Sequence, residues 1–115
     1  MGNIQQPELI ASDPVTVEDV ILFALGDFQS RKKVLAGREL ALDRLGGALR
    51  RAVMQLNSVD FSDDAFADGF EKLGAKVVKV PSFVAKHPYR VTVTVEIAER
   101  ASEFFRQKVD DGVEK

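Results

Sequence analysis

The spacing of apolar residues changes from a helical to a strand period near residue 75, and it returns to a helical period near residue 98. Between residues 89 and 97 apolar and polar side chains alternate strictly, which is typical of a strand with one buried face. On either side of this region apolar residues recur every three to four positions, as in helices buried along one stripe. A chain with both periods is expected to form a mixed α and β domain.

Three helices are expected before the strands, and the first begins near residue 13. Asp13 followed by Pro14 is one start that the sequence offers, and Thr16 with Asp19 is a second start of the capping-box kind. The apolar stripe of this helix continues to Phe28 without a polar interruption longer than two residues. We therefore predict a well-buried first helix.

The second and third helical patterns differ in how clearly they are bounded. Residues 30–56 form an amphipathic, basic pattern that contains Gly37 and the Gly46-Gly47 pair, so a break or kink at these glycines is as well supported as one continuous helix. Residues 61–74 form the third pattern, in which Ser62 can cap the first turn and Gly74 suits a left-handed end. This third segment has the clearest local helix signals in the chain.

Two strands and a last helix complete the predicted architecture. Residues 75–80 are rich in β-branched side chains, and the strand 89–97 can pair with them antiparallel across the short connection 81–88. After residue 98 the helical period continues towards Gly112. The predicted fold class is α+β, with about four helices and a small antiparallel sheet in the order α-α-α-β-β-α.

The length of 115 residues fits one domain and leaves too little chain for two independent cores. We predict a flexible N-terminal arm over residues 1–12, a single α+β domain over residues 13–112 and a frayed C-terminus over residues 113–115. The core is expected to join the first, third and last helices to the inner face of the strand at 89–97. Val93 should be deeply buried in that core.

Composition and spacing argue against a metal site. The chain has no cysteine and only one histidine, His87, which excludes Cys-ligated zinc, a thiol nucleophile and a multi-His site within one subunit. Residues 60–71 follow the ligand spacing of a calcium loop, but Ala65 stands where that loop requires glycine. The acids of this segment also suit a capped helix start. We predict no metal site and no cofactor.

No catalytic or targeting motif stands out in the sequence. It contains no glycine-rich phosphate loop and no nucleophile elbow, and His87 has no carboxylate near it in sequence to orient it as a base. We therefore assign no enzymatic activity, although Asp, Glu, Lys and Arg alone can support chemistry. Since no signal peptide or membrane-length apolar stretch is visible, we expect a soluble cytoplasmic protein with no membrane partner.

The most promising binding feature is the basic side of the second helical pattern. Residues 29–56 hold seven bases against two acids. Lys33, Arg44, Arg50 and Arg51 fall opposite the apolar stripe and are the predicted partner-binding residues. Such a surface suits an acidic protein or a phosphate backbone, but a pI near 5.4 is low for a dedicated nucleic-acid binder.

Self-association follows from the predicted sheet. Two strands alone are marginal, and the long strand at 89–97 would have an unpaired edge. A third strand has to come from Leu9 and Ile10 in the arm or from a second subunit, and residues 42–56 also resemble two heptads of a coiled coil. We predict a small interaction or assembly protein that binds another protein and forms a homodimer. Nucleic-acid binding through the basic helix at residues 31–51 is the alternative.

Overall fold

In the computed structural model, which describes residues 15–81, 83 and 89–110, four α-helices pack with a three-stranded antiparallel sheet. This confirms the predicted α+β class and the predicted order of the helices and of the two predicted strands. It also adds one short strand. The predicted arm, the Asp13-Pro14 helix start, His87 and the predicted frayed C-terminus lie outside the described residues. The elements in chain order are α1 (Val17–Ser30), β1 (Glu39–Ala41), a 3₁₀ turn (Leu42–Leu45), α2 (Gly46–Gln55), α3 (Asp63–Leu73), β2 (Lys76–Lys79), β3 (Tyr89–Thr92) and α4 (Val95–Asp110).

Helix α1 is the centre of the fold. Its start confirms the capping box, because Thr16 Oγ1 accepts from the Asp19 backbone and the Asp19 carboxylate accepts from the Thr16 backbone. Every residue from 20 to 28 is buried. The helix packs against α2, α3 and α4, and most extensively against α4. Because these helices cover α1 on several sides, its apolar stripe is wide.

Two glycines allow neighbouring helices to approach α1 closely. A Cβ on Gly26 would lie 2.6 Å from the Ala101 carbonyl oxygen of α4 and would overlap the Phe105 side chain. A Cβ on Gly69 of α3 would lie 2.8 Å from the Ile21 side chain of α1. Since real Cβ atoms do not approach this closely, the crossing of α1 with α4 requires the absence of a side chain at Gly26. At Gly69 a side chain would require the end of the Ile21 side chain to shift.

One continuous helix over residues 30–56 is wrong: the first helix ends at Ser30, and α2 begins only at Gly46. Of the glycines at which a break is predicted, Gly37 lies within the interruption, whereas the Gly46-Gly47 pair lies in the first turn of α2. Lys32 and Gly37 have φ angles of 64° and 77°, in the left-handed region that ends a helix. The chain between them turns back and delivers β1 to the sheet, while Leu35 becomes buried. A 3₁₀ turn then changes to α2 at Gly46. Long-range strand pairing has overridden the local helical pattern here.

The sheet has the order β1-β3-β2, so β3 is paired along both edges. Leu40 of β1 and Val77 of β2 both stand opposite Val91 of β3 and share its inward face. The third strand is thus residues 39–41, rather than the arm or a second subunit. The unpaired-edge argument for a homodimer is therefore wrong.

The strand predicted over residues 89–97 is shorter than its alternation suggests. Strand β3 ends at Thr92, Val93 forms only an isolated bridge with Ala36, and α4 begins at Val95. Thr94 sits at the junction, where its hydroxyl accepts a hydrogen bond from the Ile97 backbone at 3.1 Å. This capping contact favours a helix, because it satisfies a donor of the first turn. Val95 is consequently exposed rather than buried.

The predicted burial of Val93 and the predicted boundaries of α3 are confirmed, whereas the observed core does not include Val95. Val93 is 1% exposed. Ser62 caps α3 by accepting from the Ala65 backbone, and Gly74 ends the helix with a φ of 100°. The apolar residues expected on a coiled-coil seam instead belong to this core, so that seam is not an exposed surface. The buried members of the seam are Leu42, Leu45, Leu49 and Ala52. No described helix combines the length and the apolar character that crossing a membrane requires.

Candidate functional site

A cleft of about 140 Å³ opens where α1, α2 and α4 meet. Its apolar side contains Phe23 and Phe105, whose rings meet edge to face with centroids 4.9 Å apart. Its charged side contains Asp27, Arg31 and Arg51. A cleft with an apolar floor and a few convergent charged groups has the composition of a binding site.

Helical spacing explains why these side chains converge. Residues four positions apart lie on the same side of a helix, and each of the three helices contributes such a set to the cleft. The lining residues are Phe23, Asp27 and Arg31 from α1 and its C-terminal end, Arg51 and Gln55 from α2, and Phe105 and Val109 from α4. The close approach of α4 at Gly26 brings Phe105 onto Phe23.

Asp27 fixes the two arginines of the cleft. Asp27 is 8% exposed, and among the described residues it is the one charged residue that is buried. One carboxylate oxygen accepts from Arg31 Nε at 3.1 Å and the other from Arg51 Nε at 2.8 Å. The two arginine side chains remain 54% and 44% exposed. The cluster therefore carries one net positive charge at the surface of the cleft.

The four predicted binding residues are exposed, but they do not lie on one helix. Lys33 lies in the loop after α1, Arg44 lies in the 3₁₀ turn, and Arg50 and Arg51 lie in α2. Only Arg51 lines the cleft between α1, α2 and α4. Successive helical residues project about 100° apart, so Arg50 faces a second hollow instead.

Asp27 and Arg31 are not among the binding residues predicted from the sequence. A signal for them was present, since Asp27 interrupts the apolar stripe of α1 and Arg31 follows it at the spacing of a helical ion pair. The pairing of Asp27 with Arg51 across two helices has no local signal, because it depends on how α1 and α2 cross.

The second hollow, of about 260 Å³, lies between the 3₁₀ turn, α2 and the start of α3. Two of its three acids have local structural roles: the Asp60 carboxylate accepts from the Phe61 backbone, and Asp63 lies in the first turn of α3, where the helix dipole favours negative charge. The segment with calcium-loop spacing thus forms a capped helix start. Among the described residues no group of acidic, His or Cys side chains has a geometry that could hold a metal ion.

Tyr89 links the central strand to α3. Its hydroxyl donates to the Asp64 carboxylate, and Lys79 Nζ lies 5.4 Å from the centre of its ring. The hydrogen bond to Asp64 is the main cause that raises the pKa of Tyr89, because it stabilises the protonated phenol next to a negative charge. These contacts join β3 to the N-terminal turn of α3.

Comparison of the chain with protein-family models, with curated proteins and with solved structures finds no match.

Proposed function

We propose that the protein acts by binding another protein, and that the cleft between α1, α2 and α4 is its docking site. The observation that carries this proposal is the composition of the cleft, since aromatic residues, Arg and Met are the residue types that dominate protein interfaces. Phe105 and Arg51 lie within it. Met54 is 75% exposed and follows Arg51 by three positions, which puts it on the same side of α2.

Charge complementarity defines the partner. Arg31 and Arg51 outnumber Asp27, so the cleft attracts an acidic group, and the rings beneath them favour an apolar group next to that acid. The proposed partner is a protein segment in which an Asp or Glu is adjacent to an apolar side chain. Arg44 and Arg50 lie outside this cleft and contribute little to such binding.

Selection from a random peptide display library, with the whole chain as bait, tests the proposal. Selected peptides should share an acid beside an apolar residue, and their affinity in solution should fall about tenfold when Arg51→Gln removes one charge-assisted hydrogen-bond donor group. The Arg44→Gln variant is the matched control and should bind as the parent does. Peptides that bind Arg51→Gln as tightly as the parent would contradict the proposed site.

The same binding assay distinguishes the alternative function, nucleic-acid binding, from protein binding. A labelled DNA duplex and a labelled single strand replace the peptide, at low and at physiological salt. Binding that falls steeply with salt and requires Arg44 and Arg50 would favour nucleic acid over protein as the partner.

Self-association is a second candidate, and the outer edge of β1 favours it. Strands β1 and β2 are the edges of the described sheet. Strand β2 carries Lys76 and Lys79, which discourage pairing with another copy, whereas β1 contains no lysine. A second copy would pair most readily along β1.

A further inference from the structure

We infer that the cleft between α1, α2 and α4 recognises a single carboxylate attached to one small apolar group, such as an aromatic ring. This inference deepens the proposed function, on which it rests for the location of the site. The shared chemistry has two sources, a partner-protein segment in which an acidic side chain lies next to an apolar one and a free small molecule, and the experiment below distinguishes them.

The first support is the unused hydrogen-bonding capacity of the two guanidinium groups. Asp27 binds Arg31 and Arg51 through their Nε atoms. Among the described residues, the hydrogen bonds that Arg31 and Arg51 donate to the protein run through Nε, which leaves their Nη groups for a ligand. An arginine held at Nε presents its remaining N–H groups in a fixed, planar arrangement, which suits bidentate binding of a carboxylate.

Preorganisation is the second support. Asp27 holds both guanidinium groups in place, so a ligand does not have to order two long side chains on binding. The arginines are therefore already positioned next to one another before any anion arrives.

Charge selects a monoanion. The two arginines and Asp27 sum to one positive charge, which a single carboxylate neutralises. A phosphate dianion would leave excess negative charge beside the buried Asp27 carboxylate, where the low exposure of that group strengthens repulsion. The cleft should therefore prefer a carboxylate to a phosphate group.

Volume and lining select the apolar group. Phe23, Phe105 and Val109 form the apolar side of a space of about 140 Å³. An apolar protein cavity of about 150 Å³ is large enough for benzene. One aromatic ring, or a branched aliphatic group of similar size, therefore fits against the phenylalanines while its carboxylate reaches the arginines.

Titration of the full ¹⁵N-labelled chain with 3-phenylpropionate, followed by amide NMR shifts, tests this inference. Shifts should saturate and concentrate in the facing parts of α1, α2 and α4. The neutral 3-phenylpropionamide should bind at least about tenfold more weakly, which corresponds to about 1.4 kcal/mol for the lost charge-assisted contacts. Acetate should also bind more weakly, because it lacks the ring, and phenyl phosphate should not exceed 3-phenylpropionate.

Two variants complete the test. Arg51→Gln should weaken binding of 3-phenylpropionate about tenfold, whereas Arg44→Gln should leave it unchanged. The comparison of acid with amide uses the unaltered protein, so it remains decisive even if Arg51→Gln fails to fold. Equal affinities for acid and amide, or saturating shifts confined to other parts of the domain, would overturn the inference.

The outcomes also separate this inference from the proposed function. If 3-phenylpropionate binds in the cleft and the display library yields no peptide, the carboxylate site stands and its source is a small molecule. If selected peptides bind equally well after their acid is changed to the amide, the docking site stands and the carboxylate inference fails.

Discussion

Asp27 and Arg51 lie 24 positions apart in the chain, and Arg51 Nε is 2.8 Å from the Asp27 carboxylate. The contact joins the buried central helix α1 to the surface of α2. Because Asp27 is buried and Arg51 is half-exposed, we expect the contribution of this pair to stability to lie between that of a surface ion pair and that of a buried ion pair.

Removing either member of this pair should lower stability. We expect Arg51→Gln and Asp27→Asn each to reduce the free energy of unfolding by about 1–2 kcal/mol, since each weakens hydrogen bonds between charged groups. The double variant should be less destabilised than the sum of the two, with a coupling of about 1 kcal/mol. Urea unfolding of the four proteins measures this cycle.

Arg44→Gln is the control for that cycle and should stay within about 0.5 kcal/mol of the parent, as exposed substitutions usually do. From the sequence, charge reversal at Arg44, Arg50 and Arg51 together is expected to change stability by no more than about 1 kcal/mol. The structure revises this expectation for Arg51 alone, because Glu at this position would face Asp27. Strictly additive effects of Asp27→Asn and Arg51→Gln would show that the pair contributes no specific stabilisation.

Two glycine-to-alanine substitutions should have opposite effects. Gly26→Ala places a Cβ against Ala101 and Phe105 of α4, so we expect a loss of about 2–3 kcal/mol from overpacking. Gly46→Ala meets nothing within 4 Å and keeps a helical φ of −56°, so it should gain about 0.5–1 kcal/mol. Thermal and urea unfolding of both variants tests this contrast, and a stable Gly26→Ala protein would disprove the close crossing.

The ionisation of Tyr89 can be followed without interference, because the chain has one tyrosine and no tryptophan. The pKa of Tyr89 is raised above 10.0 by the hydrogen bond to Asp64, so the folded state favours the protonated phenol. The hydrogen bond between Tyr89 and Asp64 therefore stabilises the folded state at pH values below the pKa of Tyr89 in the unfolded chain. This stabilisation is lost as the pH rises through the pKa of Tyr89 in the folded state. The tyrosinate absorbance should have its midpoint above pH 10.0, and Asp64→Ala should lower that midpoint. An unchanged midpoint in Asp64→Ala would contradict the contact.

Self-association through β1 should give a particle of about twice the 12.7 kDa chain mass in light scattering. In a symmetric antiparallel pairing centred on Leu40, Ala41 of one copy faces Glu39 of the other. Ala41→Asp should therefore dissociate the dimer by placing like charges opposite each other. Val78→Asp is the matched control, because Ala41 and Val78 both stand opposite Arg90 in the sheet. A monomer at every accessible concentration would rule out this dimer.

Local signals in the sequence account for much of the fold. The Thr16 capping box, the Ser62 cap and the glycine at position 74 mark helix ends correctly, because each acts within one turn of its own residue. The apolar-polar alternation that continues past Val93 predicted too long a strand, since Thr94 can either extend a strand or cap a helix. The local hydrogen bond that the Thr94 hydroxyl accepts from the Ile97 backbone belongs to the helical alternative.

The candidate site was harder to predict than the fold. Arg51 was identified through charge on a helical pattern, but its role depends on Asp27, which the helix crossing brings to it. Strand β1 was missed for a related reason: Leu40 has no strand signal of its own, and its partner Val91 lies far along the chain. Sequence periodicity reports local structure, whereas these features are produced by packing between distant segments.

The position of α1 at the centre of the domain has a consequence for folding during synthesis. Its residues from 20 to 28 are buried by helices that follow it, and Gln29 is tied to the Ala98 carbonyl of α4 across 69 positions of chain. A nascent chain that has not yet produced α4 must leave much of α1 exposed to water. We therefore expect the domain to form late and in one cooperative step, with the amides of α1 protected from hydrogen exchange until global unfolding.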